Sequence, residues 1–172
     1  MSRFITADLH LGHENICNGK LEGTRPFVDY QEMDEAIVEN WNSRVRPRDI
    51  VYVLGDVAFG ITKRDSLRHL PRMNGSKVLV MGNHDYRADI FVDYFAKIMA
   101  YKDLKIAGRK VVMSHIPIHP VCLNRWDLNL HGHLHGNTIE GDNRYICVSM
   151  EQNKYHPFSE MEIESIIEER GL

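Results

Sequence analysis

The stretch Lys77-Val78-Leu79-Val80-Met81-Gly82-Asn83-His84-Asp85 decides how the chain is interpreted, because an apolar run ends abruptly in polar residues. Its first five residues predict a buried β-strand. Asn83, His84 and Asp85 follow where this strand would end, and strand ends carry the functional groups of α/β folds. Taken alone, the same residues suit an ordinary turn, since Gly and Asn tolerate left-handed backbone conformations. The stretch gains meaning only if other strands end in matching chemistry.

Two strands predicted earlier in the chain do end in this way. Phe4 to Ala7 is apolar and is followed by Asp8 and His10. Ile50 to Leu54 is β-branched and apolar and leads into Asp56. The first half of the chain therefore offers three strand ends with metal-ligating or acid-base side chains.

Helices are predicted after each of these strands. The first begins near Asp29, which can cap it together with Glu32. The second runs from Thr62 to Leu70, and the third begins at Asp85 or shortly after it. The apolar residues at helical spacing in the first and third helices are Met33, Ile37 and Trp41, and Ile90, Phe91 and Phe95. Alternation of strand and helix predicts parallel strand pairing in an α/β fold.

The second half of the chain is predicted to contain short strands and one last helix, which Ser159 caps with Glu162. Ala107-Gly108-Arg109 provides a hairpin turn. The predicted strands are Ile98 to Ala100, Leu104 to Ala107, Lys110 to Met113, Leu128 to Leu130 and Tyr145 to Val148. Two of them again end in histidines, at His115 and at His133 with His135.

The composition is typical of a soluble globular protein, with 172 residues, 43% hydrophobic and 26% charged. We expect one domain over residues 1–172. The net charge of -3 argues against a large basic surface for nucleic acid. Three widely spaced cysteines indicate neither a disulfide framework nor a thiolate zinc site. Without an apolar run of signal or membrane-spanning length, we expect a cytoplasmic protein with no membrane partner and no obligate protein partner.

The five strand ends combine aspartate, histidine and asparagine without cysteine, a donor set that suits divalent Mn, Fe, Zn or Ni. A carboxylate has two oxygens and can bridge two ions, and ions about 3.5 to 4 Å apart serve in-line displacement at phosphorus. Two such ions, two ligating aspartates and one hydroxide leave a net positive site, which would attract a phosphate ester. The residues by themselves indicate a metal site on an α/β scaffold.

Five motifs resemble, in order and in separation, those of the calcineurin-like metallophosphoesterases. They are Asp8-x-His10, Gly55-Asp56, Gly82-Asn83-His84-Asp85, His115 and Gly132-His133-x-His135. The resemblance implies a four-layer αββα sandwich with a dinuclear metal site at the C-terminal ends of the strands. The Asp-x-His-x-Gly-His-x-Asn start and the Arg-Pro-Phe segment are similar to a small, capless bacterial and phage-type subgroup.

The resemblance also implies a role for each residue. The implied metal ligands are Asp8, His10 and His135 for one ion, Asp56 as the bridge, and Asn83, His115 and His133 for the second ion. His84 would stabilise the transferring phosphoryl group and protonate the leaving oxygen, while Asp85 orients its imidazole. A hydroxide bridging the two ions would be the nucleophile. We expect Mn²⁺ first, with Fe, Zn and Ni as alternatives.

The loop after the first motif offers candidate substrate-binding residues, His13, Asn15 and Arg25. A guanidinium matches a phosphate bidentately, although Arg25 would equally suit a surface salt bridge. Strand alternation would place His131 on the same side as His133 and His135. Because the family pattern uses only the last two, a supporting or substrate role for His131 is the less favoured interpretation.

The function we expect is hydrolysis of a phosphodiester, with a nucleotide or nucleic-acid end as a candidate substrate. Hydrolysis of phosphomonoesters, as by a nucleotide phosphatase, is the first alternative. A catalytically silent, metal-stabilised scaffold for protein interactions is the second, and His84 argues against it because a scaffold needs no proton donor. A protein Ser/Thr phosphatase is disfavoured, since the residues after Asp56 lack the arginine of those enzymes.

Overall fold

The computed structural model describes residues 1–17, 25–59 and 63–172, with the backbone alone at positions 63 and 64. The strands in these ranges are β1 Arg3–Thr6, β2 Ile50–Val53, β3 Ser76–Val80, β4 Lys97–Met99, β5 Lys102–Ile106, β6 Arg109–Ser114, β7 Leu128–His131, β8 Tyr145–Cys147 and β9 Phe158–Ser159. The α-helices are α1 Tyr30–Arg44, α2 Lys63–Ser66 and α3 Glu160–Glu169. Short 3₁₀ helices span Glu14–Ile16, Leu67–Arg72, Ala88–Ile90, Pro120–Leu123 and Met150–Asn153.

The strands form two sheets, which confirms the predicted α/β class. The first has the order β4-β3-β2-β1-β9, and its first four strands are parallel. The second has the order β5-β6-β7-β8, in which β5 and β6 form the predicted hairpin and the remaining pairs are parallel. The C-terminal ends of β1, β2 and β3 therefore share one edge, and those of β6, β7 and β8 share another.

The two sheets pack face to face through alternate residues, as the period of a strand requires. Ile5 and Val80 of the first sheet share one buried cluster with Met113 and Leu130 of the second. The other face of the first sheet packs against α1, whose buried residues include Trp41. This arrangement gives the helix-sheet-sheet part of the expected sandwich.

The outer face of the second sheet packs against a short 3₁₀ helix. Val112 and Tyr145 on this face pack against Leu123, which lies in the 3₁₀ helix Pro120–Leu123. Trp126, from the loop that follows, is partly buried against the same cluster. In the described ranges, the fourth layer is therefore built from a short 3₁₀ helix and loop residues.

Local capping chemistry sets the starts of the two longer helices as predicted. The Asp29 carboxylate accepts a hydrogen bond from the amide of Glu32 at 2.9 Å. Ser159 and Glu162 form a reciprocal capping box at the start of α3. No helix in the described part of the chain has the length and apolarity that crossing a membrane requires.

Two predicted helices were wrong in extent. The segment after Asp85 contains only the 3₁₀ helix Ala88–Ile90 and a single turn in which the amide of Phe95 donates to Phe91. The four-residue spacing of these aromatics therefore reflects one buried turn. The second helix is α-helical only over Lys63–Ser66 and continues as the 3₁₀ helix Leu67–Arg72, while Thr62 lies outside the described residues.

Candidate metal centre

The loops at the C-terminal ends of the strands in the two packed sheets lie next to one another. The predicted strand ends are therefore neighbours. The amide of Asp8 donates to the carbonyl of Gly55 at 3.0 Å, which joins the loops after β1 and β2. The amide of His133 donates to Asp8 Oδ2 at 2.9 Å, and the amide of Gly132 to the carbonyl of His115 at 3.0 Å. The bond from His133 joins the second sheet to the first at the carboxylate of Asp8.

One group of potential ligands consists of Asp8, His10 and His135, whose ligand atoms lie within 4.8 Å of one another. Both ring nitrogens of His10 are buried and have no hydrogen-bond partner among the described residues. Burial holds the pKa of His10 well below its usual value, so its imidazole is neutral. A buried neutral imidazole without partners is costly, and a cation would satisfy it. These three residues therefore fit a divalent ion.

A second group consists of Asp8, Asp56 and His115, again within 4.8 Å. His115 Nδ1 donates to the carbonyl of Leu54 at 2.8 Å, so Nε2 faces the site. There Nε2 lies 2.8 Å from Oδ1 of Asn83. The ring of His133 stands across that of His115, with centroids 5.2 Å apart. The side chains implied for the second ion thus converge on His115.

Asp8 belongs to both groups, and one oxygen of Asp56, from the second group, also faces His10 of the first. Its Oδ2 is 3.6 Å from Nε2 of His10 and 3.3 Å from Nε2 of His115. Its Oδ1 accepts a hydrogen bond from the amide of His84 at 2.9 Å. Burial would raise the pKa of Asp56, but His115 and the His84 amide outweigh it and lower the pKa. Asp56 would therefore be available to both ions through Oδ2, while the backbone holds Oδ1.

Backbone strain is concentrated at the predicted ligands. Positive φ angles occur at Asp8 (59°), His10 (50°), Asp56 (55°), His133 (69°) and His135 (52°). A residue other than glycine in this region costs about 1–3 kcal/mol and persists only where its surroundings hold it. The strained loops therefore bring these side chains together at a cost in folding stability, as is common at functional sites.

Two glycines allow the backbone to approach the ligands closely. A Cβ at Gly82 would lie 2.2 Å from Oδ1 of Asp56. A Cβ at Gly132 would lie 2.5 Å from that of Ala7 and 2.7 Å from Oδ2 of Asp8. Side chains at these positions would displace the aspartates, which explains why glycine stands in both motifs.

His84 is the partly exposed histidine beside this buried centre. Its Nε2 lies 3.9 Å from Oδ2 of Asp56, and its side chain is 38% exposed. The ring of Phe59 packs against it at 78°, with centroids 4.7 Å apart. Phe59 was missed in the sequence because an aromatic residue after a strand is ordinarily assigned to the core.

Asp85 has a different partner from the one predicted. Its carboxylate is buried and accepts hydrogen bonds from the amides of Asp56 (2.7 Å), Gly82 (2.9 Å) and Val57 (3.2 Å). Both oxygens are therefore directed at backbone, and the expectation that Asp85 orients the imidazole of His84 was wrong. Asp85 instead holds together the loops after β2 and β3, which carry Asp56 and His84.

The predicted substrate residue Arg25 is buried and bonded to protein. Its Nη1 donates to the carbonyl of Leu9 at 2.9 Å and its Nη2 to that of Asp8 at 2.5 Å. Its Nε donates to Oε1 of Glu151 at 2.9 Å. With the side chain fully buried, both a phosphate contact and a surface salt bridge were wrong for Arg25. The sequence did not reveal that Arg25 pairs with Glu151, because the two residues lie 126 positions apart.

The other two substrate candidates occupy different environments. His13 stacks on Phe59 at a centroid distance of 3.9 Å and lies 5.2 Å from the ring of His10. Burial lowers the pKa of His13 to about 4, so it is neutral near pH 7. Asn15 is exposed on the 3₁₀ helix Glu14–Ile16, and no contact found within the described ranges joins it to the metal groups. The structure thus brings His13, but not Asn15, beside the centre.

Residues after β8 support the ligands although the motifs omit them. Ser149 Oγ donates to Oδ2 of Asp8 at 2.6 Å, and Glu151 Oε1 accepts from His135 Nδ1 at 3.0 Å. Both follow the end of a strand, so the rule applied to the other strands would have found them. His131 is buried in β7 and donates to the carbonyl of Gly132, outside both metal groups. The predicted alternation failed because His133 and His135 lie in the loop beyond β7.

No family model matches the chain. The protein MJ1445 of Methanocaldococcus jannaschii is 32% identical over 166 residues, covering 91% of this chain and 85% of that protein. The crystal structure of AQ665 from Aquifex aeolicus is similar with a TM-score of 0.76 and 30% identity, covering 96% of this chain and 99% of that one.

Two further solved structures show the fold at low identity. An archaeal phosphodiesterase matches with a TM-score of 0.51 and 16% identity, covering 87% of this chain and 82% of that one. YfcE, a phosphoesterase from E. coli, matches with a TM-score of 0.52 and 15% identity, covering 87% and 78%. The chain therefore belongs to one family with MJ1445 and AQ665, and it shares its fold with these two phosphoesterases.

Proposed function

We propose that the chain is a metal-dependent phosphoesterase that hydrolyses phosphodiesters. The observation that supports this most is the position of Asp56 Oδ2, which lies 3.6 Å from His10, 3.3 Å from His115 and 3.9 Å from His84. One oxygen thus faces both ligand groups and the partly exposed histidine. An oxygen in this position could contact two ions, and in-line displacement at phosphorus uses such a pair of ions.

The donor set fits two divalent ions, for which we propose Mn²⁺, with Fe, Zn and Ni as alternatives. When bound, the ions would polarise the phosphorus-oxygen bonds and make hydroxide available near neutral pH. The protein's own contribution is to hold Asp8 and Asp56 in a buried site, where few water molecules screen the charges. Two divalent ions against these two carboxylates leave an excess of positive charge for a phosphate ester.

We assign His84 as the general acid, as its place at the rim of the centre suits. Its ring borders the ligands on one side and solvent on the other, so a substrate's leaving group can extend outward. A positioned acid of this kind typically accelerates a reaction by about 10²- to 10⁴-fold. Asp85 contributes indirectly, because it holds the loops that carry His84 and Asp56.

A diester is favoured over a monoester by the placement of Arg25. A monoester carries more negative charge near neutral pH and gains more from an extra cation beside the metals. The guanidinium of Arg25 is instead bonded to Asp8, Leu9 and Glu151. The similarity in fold to an archaeal phosphodiesterase agrees with this proposal, and a nucleotide or nucleic-acid end is the substrate class we propose.

A hydrolysis panel tests the proposal. The metal-depleted protein is reconstituted with Mn²⁺, Fe²⁺, Zn²⁺ or Ni²⁺ and given bis(p-nitrophenyl) phosphate, p-nitrophenyl phosphate and several cyclic nucleotides. We expect the diester to be hydrolysed faster than the monoester, and Asp56→Asn to abolish the activity. A faster monoester would favour a nucleotide phosphatase. Absence of hydrolysis with every metal would favour the scaffold.

A further inference from the structure

A buried carboxylate links a predicted metal ligand to an arginine. Glu151 Oε1 accepts hydrogen bonds from Nδ1 of His135 at 3.0 Å and from Nε of Arg25 at 2.9 Å. The side chain of Glu151 is 10% exposed and that of Arg25 is fully buried. One oxygen therefore connects the two, and the ion pair is shielded from water.

Nη1 and Nη2 of Arg25 bind the loop after β1, and Nη1 also contacts the sulfur of Met33 at 3.4 Å. Nη1 and Nη2 donate to the carbonyls of Leu9 and Asp8 at 2.9 and 2.5 Å. Asp8 and His135 belong to the same ligand group, although 127 residues separate them. The guanidinium thus braces the backbone of one ligand against the carboxylate that contacts another, using the fixed fork geometry of arginine.

The bond from His135 to Glu151 decides which ring nitrogen is available. Because Nδ1 carries the proton that it donates to Glu151, the lone pair of Nε2 is left for a cation. A carboxylate in this position also strengthens the imidazole as a ligand. Arg25 balances the charge of Glu151, whose second oxygen is buried without a partner in the part of the chain that is described.

We propose that Glu151, braced by Arg25, is a positioning residue that presents Nε2 of His135 to the first metal ion. This inference rests on the proposed metal-dependent function but concerns metal affinity, which can be measured without turnover. It also explains why Arg25 is buried, which neither a phosphate contact nor a surface salt bridge would explain.

The test compares Mn²⁺ binding to the full-length wild type, Glu151→Ala and Glu151→Gln by calorimetry and electron paramagnetic resonance. Loss of a hydrogen-bonded partner of a ligand typically weakens metal binding about 10- to 100-fold, which we expect at one of two sites in Glu151→Ala. Glu151→Gln keeps an acceptor oxygen but loses the charge, so we expect a smaller loss, about three- to tenfold. If Glu151→Ala does not fold, the Mn²⁺ affinity of Glu151→Gln relative to the wild type tests the positioning role.

Glu35→Gln is the matched control, because Glu35 also pairs with an arginine, Arg72, and lies 3.7 Å from a histidine, His69. That group lies outside both metal groups, so we expect wild-type affinity. A double variant adds a second check. In a His135→Ala background, Glu151→Ala should cause a smaller loss of Mn²⁺ affinity than in the wild type, because the ligand that it positions is gone and only the bracing of Asp8 through Arg25 remains.

The outcomes separate this inference from the proposed function. Two ions bound at wild-type affinity in both Glu151 variants would overturn the positioning role, as would an equal loss at both sites. A wild type that binds two ions but hydrolyses no phosphate ester would contradict the proposed function. The role of Glu151 would then still be decided by the Mn²⁺ affinities of its variants. A wild type that binds no ion would contradict both.

Discussion

The ring of Phe59 stands at 78° to the imidazole of His84, with the two centroids 4.7 Å apart. Phe59 also stacks on His13 at 3.9 Å. We expect Phe59→Ala to lower kcat about tenfold by loosening His84, since a misplaced catalytic group can cost up to about 10²-fold. Mn²⁺ affinity should fall less than kcat does, because the ring of Phe59 lies farther from that of the implied ligand His10, at a centroid distance of 6.1 Å. An unchanged kcat would remove Phe59 from this supporting role.

His84→Ala should retain both metal ions and lose activity. As the proposed acid, His84 matters most for substrates whose leaving group is a poor one, so the loss should reach about 10²- to 10⁴-fold there and be smaller for p-nitrophenol. The measurement is kcat/KM across a series of aryl diesters with increasing leaving-group pKa. Equal losses across the series would contradict the acid role.

Gly132→Ala should weaken metal binding and lower thermal stability. The added methyl would lie 2.7 Å from Oδ2 of Asp8 and 2.5 Å from Cβ of Ala7, and overpacking of this kind costs about 1–3 kcal/mol. Gly136→Ala is the control in the same loop, since a Cβ there meets nothing within 4 Å. Calorimetric titration with Mn²⁺ and thermal unfolding should separate the two variants. Equal Mn²⁺ affinity and equal thermal stability of the two variants would mean that the loop accommodates the methyl group without displacing Asp8.

The buried carboxyl of Asp34 predicts a pH dependence of stability. Burial raises the pKa of Asp34 from 3.8 to about 7, although it accepts a hydrogen bond from the Gly12 amide at 3.0 Å. His69 lies 3.5 Å away, but burial lowers its pKa. Between about pH 4 and pH 7 the Asp34 carboxyl is protonated in the folded state and ionised in the unfolded state. The free energy of unfolding therefore falls as the pH rises through this range.

Asp34→Asn removes that titration while keeping an acceptor oxygen for the Gly12 amide. The Tm of the variant relative to the wild type should therefore increase between pH 5.5 and pH 8, by about 2–4 °C for each kcal/mol relieved. Thermal unfolding in the presence of a chelator keeps metal binding out of the comparison. A difference in Tm that is constant with pH would contradict the assignment to Asp34.

Local patterns predicted the parts of the molecule that local chemistry decides. The strand segments and the caps at Asp29 and Ser159 depend on neighbours within a few residues. The convergence of Asp8 and Asp56 followed from strand ends that share one edge, and His115 joins them because the second sheet packs against the first. The shared fold with phosphoesterases agrees with the family resemblance of the motifs.

Partners that are distant in sequence were beyond these patterns. Arg25 has the composition of a phosphate ligand, and only the fold shows that Glu151 and two carbonyls occupy its donors. The role of Asp85 was misassigned for the same reason, because the amides that it binds belong to another loop as well as its own. Tertiary hydrogen bonds of this kind carry no local periodicity.

The most direct test of the proposed two-metal centre is the number of Mn²⁺ ions bound by the wild type and by Asp56→Asn. Asp56 Oδ2 faces His10 of the first ligand group as well as His115 of the second, so replacing half of its carboxylate should disturb both. We predict two ions per chain for the wild type and one or fewer, bound more weakly, for the variant, measured by calorimetry with elemental analysis. Two ions bound by Asp56→Asn at unchanged affinity would contradict the bridging assignment.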